Sequence, residues 1–278
     1  MKTMAKIAAT LAAGIGTLAA SVAMAEDVAG KPVPGGVNFQ RPVTPIMHDL
    51  VWLDNFLLII ITAISLFVLG LLAYVVVRFN KKRNPVPATF THNAKLEFVW
   101  TAVPVLILVV IAIPSLRLLF DQLDVPEPEV TIKATGHQWF WSYEYPDEGI
   151  EFDSYMLTPE ELGDFGYQSD EYLLATDTRV VVPVDANVHL LTTGGDVIHN
   201  WAMPSFGIKA DSIPGRINEA WFRAEETGLY FGQCSELCGI NHSYMPIAVE
   251  VVTREEYDAW VAEQVAKRDG ATDFAAAE

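Results

Sequence analysis

The chain has 278 residues, carries a formal net charge of −17, and contains only two cysteines among 51% hydrophobic residues. Such an acidic field repels nucleic acid and excludes it as a partner, and two thiols cannot build a disulfide-rich scaffold. Long charge-free apolar runs in the first half, followed by an acidic second half, point instead to a membrane-tethered protein with a water-facing domain.

Taken in chain order, the N-terminus reads Met1, Lys2, Lys6, then an Ala-rich apolar stretch, then Ala23-Met24-Ala25 before Glu26. Basic, apolar and small-x-small in that order is a secretory signal peptide, so residues 1–25 are expected to be cleaved, with an uncleaved anchor as the alternative. Residues 26–54 then form an extracytoplasmic N-terminal segment.

No charge interrupts Asn55 to Val77 or Phe98 to Leu116, and about 20 apolar residues suffice to span a bilayer. Residues 55–117 are therefore expected to be a transmembrane hairpin. Its connection holds Arg78, Lys81, Lys82, Arg83 and Lys95 against Glu97 alone, which places that loop in the cytoplasm and both termini on the opposite side. Trp52 and Trp100 fall where interfacial aromatics belong, and Pro104 and Pro114 are candidate kinks.

A Pro- and Glu-rich linker spans 118–128. Beyond it, residues 129–253 break into short strand-like segments: Val130 to Ala134, Gln138 to Tyr145, Arg179 to Val184, Val188 to Thr192, Glu219 to Arg223, Leu229 to Phe231 and Ile247 to Val252. That spacing suggests a β-sandwich or barrel. Asp153 to Thr176 reads as a surface excursion. In the C-terminal part, 254–278, Arg254 to Lys267 reads as a short amphipathic helix and the rest as a flexible Ala-rich tail.

The chemistry concentrates in one loop. Cys234, Cys238, His242 and Met245 lie within twelve residues, and thiolate, imidazole and thioether donors together suit copper. One blue-copper ion needs a single Cys, so two thiolates suggest two bridged coppers, each requiring its own imidazole. His199, between apolar neighbours at the end of a strand-like segment, is the candidate for the second. A Cys234–Cys238 disulfide or a zinc site remain the alternatives.

The Cys-x-Glu-x-Cys-Gly-x-x-His-x-x-Met run, His199 upstream and the aromatic segment Gly136 to Tyr145 together resemble subunit II of cytochrome c oxidase in a bacterial form, from the first membrane helix to the end of the ligand loop. The resemblance implies a membrane-anchored all-β protein, with a two-helix hairpin followed by a cupredoxin-like Greek-key β-barrel. It implies a binuclear CuA centre bridged by Cys234 and Cys238, with His199 and His242 binding one copper each. Met245 and the backbone carbonyl of Glu236 would be weak axial donors, and the Glu236 side chain a Mg or Mn ligand shared with subunit I.

It further implies that Trp139 admits electrons from a c-type cytochrome, that the electrons pass to haem in subunit I for oxygen reduction, and that Glu97 lies at a proton-pathway entrance. His92 nearby is a candidate for an inhibitory metal or a plain solvated loop residue. Glu144, Asp153, Asp177 and Asp196 are candidate docking acids, chosen from a segment after Arg117 that holds 30 acidic and 8 basic residues. The expected location is the cell inner membrane, with both termini and the copper domain on the periplasmic side. Two other functions stay open: a quinol oxidase subunit, which the intact ligands oppose, and a copper-delivery protein, which would hold metal without passing electrons.

Overall fold

The computed structural model describes residues 29–275; the expected signal peptide and the last three residues of the expected tail lie outside the described residues. The chain divides into two units, one of residues 49–121 and the other of the remaining residues on either side.

The first unit is the helical hairpin. Helix α1 runs Pro45–Arg78 and α2 Ala94–Leu123, each extending past the charge-free window of the sequence because Asp49, Asp54 and Asp121 do not break a helix. Both are long and apolar enough to cross a membrane, and their exposed Leu, Ile, Val and Phe side chains are explained by lipid contact rather than by water. Asn93 caps α2: its Oδ1 accepts from Leu96 N at 3.2 Å, while its own N–H donates to the Glu97 carboxylate at 3.3 Å, a reciprocal arrangement that satisfies two otherwise orphaned donors. Pro104 and Pro114 both lie inside a continuous helix.

The second unit is two five-stranded sheets. One has the order β3-β2-β1-β5-β8, from β1 Val130–His137, β2 Phe140–Tyr145, β3 Ile150–Ser154, β5 Val188–Gly194 and β8 Asn218–Phe222. The other has the order β4-β10-β9-β6-β7, from β4 Val180–Pro183, β6 His199–Met203, β7 Ile208–Ser212, β9 Gly228–Cys234 and β10 Pro246–Val252. Parallel pairs β1–β5 and β4–β10 sit among antiparallel ones, and an isolated bridge joins Gly194 at the end of β5 to Pro214 just past β7. This is a cupredoxin-like sandwich, closed partway to a barrel.

Alternation drives the first sheet: Val130, Ile132 and Ala134 on β1, and Trp141, Tyr143 and Tyr145 on β2, point into the core while their neighbours face outward. Strands β4 and β6 are buried at every residue, so neither shows a period of two. Strands β3, β6 and β7 correspond to no segment read from the sequence.

The segment read as a surface excursion is largely exposed, as expected, but is anchored by a small apolar cluster apart from the main core. Its Leu157, Leu162, Tyr167 and Ala175 bury themselves against Phe231 and Ala248 of the second sheet, since two 3-10 turns, Leu162–Phe165 and Ser169–Glu171, fold the segment back onto that sheet. The C-terminal helix α3 spans Arg254–Ala275, well past Lys267. Trp260 meets Tyr145 at 5.2 Å between ring centroids, which pins its first turns.

A strap of residues 29–44 also crosses the β-domain. Phe231 N donates to Gly30 O at 2.8 Å, Glu225 N to Val43 O at 2.9 Å, and Val43 N to Ser205 O at 3.1 Å. Gly30 has φ +87°, and a Cβ there would collide with the Leu229 carbonyl, so only glycine lets the strap approach this closely. Val43 is 1% exposed and belongs to the main core, while Lys31 bridges Asp170 at 2.9 Å and Glu171 at 3.0 Å.

Candidate metal centre

Strand pairing assembles the centre from distant residues. Trp201 on β6 pairs with Cys234 at the end of β9, and His199 opens β6 two residues earlier. The next pairing, Gln233 with Pro246, closes the β9–β10 loop and confines Cys234 to Met245 to one end of the sandwich. Within that loop a 3-10 turn, His242–Tyr244, swings the second imidazole inward, and Ser235 N donates to Asn200 O at 3.1 Å, tying the loop to β6.

The donors converge. Cys234 Sγ and Cys238 Sγ are 3.9 Å apart; His199 Nδ1 lies 3.9 Å from the first and His242 Nδ1 3.4 Å from the second. Met245 Sδ approaches Cys238 Sγ at 3.5 Å, and the Glu236 carbonyl approaches Cys234 Sγ at 3.3 Å. His199, both cysteines and Met245 are buried, whereas His242 is half-buried and the Glu236 side chain is exposed. Each thiol thus has its own imidazole and its own weak donor. That is the donor set of a site for two soft metal ions sharing two sulfurs, and both cysteines are free thiols.

Hydrogen bonds fix the ring of His199. Its Nε2 lies 2.8 Å from Asp196 Oδ1, leaving Nδ1 turned toward Cys234. Asp196 in turn accepts from Val197 N at 2.6 Å and Gln138 N at 2.7 Å. Burial opposes a charge on His199, but its contacts with Cys234 and Asp196 outweigh this and hold its pKa above the ordinary value. Burial likewise works against ionising Asp196, yet these hydrogen bonds keep its carboxyl below the usual range. The two thiols divide: burial is overcome at Cys234 by hydrogen bonds from its surroundings, lowering its pKa, while burial and the Cys234 charge push Cys238 up to about 12. Within the pair Cys234 loses its proton first and Cys238 second, so metal uptake by both sulfurs must release protons. Space is equally tight: a Cβ on Gly136 would lie 2.7 Å from the His199 ring.

The candidate Trp139 is half-buried beside the loop, its Nε1 donating to Cys238 O at 3.3 Å. Gln138 Nε2 donates to the same carbonyl at 2.7 Å, and Trp141 Nε1 to Met245 O at 3.3 Å. Sequence reading singled out neither Gln138 nor Trp141 for holding the loop; their place at the β1–β2 turn was the only signal.

Each of the four candidate docking acids has a partner within the fold, and Asp153 and Asp177 both contact Tyr155. Glu144 pairs with Lys133 at 2.6 Å on the outer face of the first sheet, Asp153 accepts from Ser142 Oγ at 2.6 Å, Asp177 accepts from Tyr155 N at 2.8 Å, and Asp196 is engaged with His199. Glu97 closes the cap of α2, and His92 is exposed in the interhelical loop.

Comparison with known proteins agrees with this geometry. Residues 130–252 match the family described as cytochrome C oxidase subunit II, periplasmic domain, and residues 32–118 match cytochrome C oxidase subunit II, transmembrane domain. The chain is 52% identical over 271 residues to cytochrome c oxidase subunit 2 of Cereibacter sphaeroides, covering 91% of this chain and 89% of that one. It is 53% identical over 235 residues to a probable cytochrome c oxidase subunit 2 of Rickettsia felis, covering 84% and 73%. Among solved structures, the periplasmic domain of subunit II of cytochrome oxidase from Bradyrhizobium japonicum matches at 49% identity and TM-score 0.47, covering 51% of this chain and 98% of that one. With both halves matched and the thiol–imidazole cluster assembled, the chain belongs to the cytochrome c oxidase subunit II family.

Proposed function

We propose that this chain is the electron-accepting subunit of a haem-copper oxidase, taking single electrons from a c-type cytochrome and delivering them to haem in subunit I, where oxygen is reduced. The observation that carries the reading is the paired arrangement of Cys234 with His199 and Cys238 with His242 across a 3.9 Å sulfur separation. A copper pair held there by Cys234, Cys238, His199 and His242 would supply a one-electron redox centre. The residues' own contribution is rigidity. The β9–β10 pairing, the Asp196 contact and the bonds from Gln138 and Trp141 hold every donor in place, so little must rearrange when the charge changes.

Trp139 is the proposed input point. Its indole N–H bonds the Cys238 carbonyl, giving a short through-bond route from a half-buried ring to a bridging sulfur. Exposed Leu237, Ile240 and Tyr244 surround the same loop and suit apolar contact with partner proteins. Glu144, Asp153 and Asp177 lie on outward-facing segments and are assigned to the electrostatic docking of a basic cytochrome; Asp196 is assigned to His199 first. The exposed Glu236 side chain is the proposed Mg or Mn ligand shared with subunit I, whose residues would complete that site. Glu97 is the proposed acid at a proton-pathway entrance, alongside its capping role. The basic interhelical loop supports an inner-membrane topology with that loop in the cytoplasm and the β-domain in the periplasm.

Both thiols must be reduced before metal can enter. A subunit II of cytochrome c oxidase that is 49% identical to this chain over the matched part has been captured as a mixed disulfide with a thioredoxin-like protein, and an equivalent reductant is proposed for this chain. The test of the function is rapid mixing of a reduced c-type cytochrome with the assembled oxidase. Trp139→Ala should slow electron transfer more than tenfold, about 1.4 kcal/mol or more in the barrier, with unchanged cytochrome affinity and an unchanged copper spectrum. Unaltered transfer in that variant would remove Trp139 from the path.

A further inference from the structure

The connection between the two membrane helices is strongly basic in an otherwise acidic chain. Arg78, Lys81, Lys82, Arg83 and Lys95 fall in a stretch without a single Asp or Glu. Among the described residues none of these five cations is ion-paired, whereas Lys31, Lys133 and Arg254 of the β-domain all are. The nearest acid in sequence, Glu97, is engaged in the cap of α2, accepting from Asn93 N at 3.3 Å. The loop therefore presents a concentrated positive charge that its own fold does not neutralise.

Both ends of the loop are held at the edge of the apolar helices. The charge-free run of α1 stops at Val77, directly before Arg78, and that of α2 starts at Phe98, just after Lys95. Asn80 then fixes the basic turn to α1: its Nδ2 donates to Val77 O at 2.9 Å, while its Oδ1 accepts from Lys82 N and Arg83 N, each at 3.1 Å. These bonds keep Lys81, Lys82 and Arg83 next to the helix end, close enough to a headgroup plane for their charges to act across a screening length of about 8 Å at physiological salt.

Apolar side chains are interleaved with the cations. Phe79, Val86 and Phe90 are 52%, 80% and 78% exposed, and the Arg78 guanidinium lies 5.9 Å over the Phe79 ring. An acidic protein segment would neutralise the charges but leave these side chains in water. A layer of phosphates above acyl chains satisfies both, since Phe enters the acyl boundary while Lys and Arg reach up to the headgroups. The headgroup must be anionic overall, because the ammonium of a zwitterionic lipid cancels the attraction.

We infer that the interhelical loop is a docking surface for anionic phospholipids, with headgroup phosphates on Arg78, Lys81, Lys82 and Arg83 and with Phe79, Val86 and Phe90 inserted at the acyl boundary. The inference rests on the hairpin spanning a bilayer, and neither on the copper reading nor on which side of the membrane the loop occupies.

The test uses the assembled oxidase in phosphatidylcholine bilayers containing a trace of phosphatidylglycerol or phosphatidylcholine that carries a photoactivatable diazirine near the glycerol end of one acyl chain. After irradiation, labelled peptides are mapped by mass spectrometry, and labelling of residues 55–77 reports independently that the hairpin spans the bilayer. Relative to that reference, the anionic lipid should label residues 78–93 roughly tenfold more than the zwitterionic one, since each Lys or Arg beside an anionic surface strengthens binding about fivefold. Raising salt from about 0.1 M to about 1 M, which shortens the screening length from roughly 10 Å to 3 Å, should bring the ratio toward one. Lys81→Gln, Lys82→Gln and Arg83→Gln combined should do the same at low salt. Lys81→Arg with Lys82→Arg should keep the preference, and Phe90→Ser should lower loop labelling by both lipids. Copper absorbance checks that each variant assembles. Equal labelling by the two lipids, a preference unmoved by the triple substitution, or an unlabelled loop beside labelled helices would overturn the inference. The last is the outcome if an acidic protein segment covers the loop instead.

Discussion

At the scale of single residues, Asp196 carries more of the site than its charge suggested. It was a docking candidate because it is acidic and close to His199; its carboxylate is instead taken up by Gln138 N, Val197 N and His199 Nε2. A carboxylate on the far nitrogen of a ligating imidazole fixes its tautomer and strengthens it as a donor, and losing such a partner typically weakens metal binding 10- to 100-fold. Asp196→Ala is therefore expected to weaken copper retention by about that factor and to shift the visible and EPR spectra. An unchanged spectrum with slower cytochrome association would restore the docking role. The ligand set was legible because soft donors at fixed spacing have few other uses. The role of Asp196 depended on a turn after β5 that folds Asp196 back to His199, and no local pattern announced that turn.

At the scale of elements, legibility followed exposure. Strands with one face toward solvent, such as β1 and β2, show their alternation. Strand β6, buried at all five positions, opens with two polar residues, His199 and Asn200, and so shows neither an alternation nor an apolar run, which is why His199 was placed at the end of a strand-like segment when it begins a strand. The strap was missed because it has no period at all: it is held by backbone hydrogen bonds and a few anchors.

Those anchors make it testable in the full-length protein. Val43→Ala removes buried methyl groups and should cost about 2 kcal/mol of β-domain stability, measured by denaturant unfolding, while hydrogen exchange at the Phe231 and Glu225 amides quickens as their strap acceptors are released. Lys31 adds a pH dependence. Burial opposes its charge, but hydrogen bonds to Asp170 and Glu171 win and raise its pKa, so its contribution is complete below the ordinary lysine value and fades as pH rises through the raised one. Asp170 is lowered by its hydrogen bond to Lys31; its contribution is present above the ordinary carboxylate value and is lost as pH falls through the lowered one. The protection of the Phe231 amide, taken relative to the intrinsic exchange rate at each pH, should accordingly fall at both extremes of pH, and Lys31→Ala should flatten that protection profile. Strap protection unaffected by either substitution would mean that the strap contributes nothing to the fold.

At the scale of the whole molecule, the charge is divided as sharply as the hydropathy. Basic residues collect in the interhelical loop, while 30 acids face 8 bases after Arg117. Association with a basic cytochrome should therefore slow by an order of magnitude or more between about 10 mM and 150 mM salt, as the screening length falls from roughly 30 Å to 8 Å. Rates indifferent to salt would assign the acids to solubility alone.

The strap also governs how the central claim should be tested. A fragment beginning at residue 129 would lack Val43, a core residue, so the full chain in detergent, reduced and reconstituted with copper, is the appropriate sample. The decisive measurement is copper stoichiometry together with EPR on that sample. Two coppers per chain sharing one unpaired electron, with the sharing lost in Cys234→Ser and Cys238→Ser, is the result expected from paired thiols 3.9 Å apart. A single copper with a blue-copper spectrum, or none bound by the reduced protein, would contradict the account.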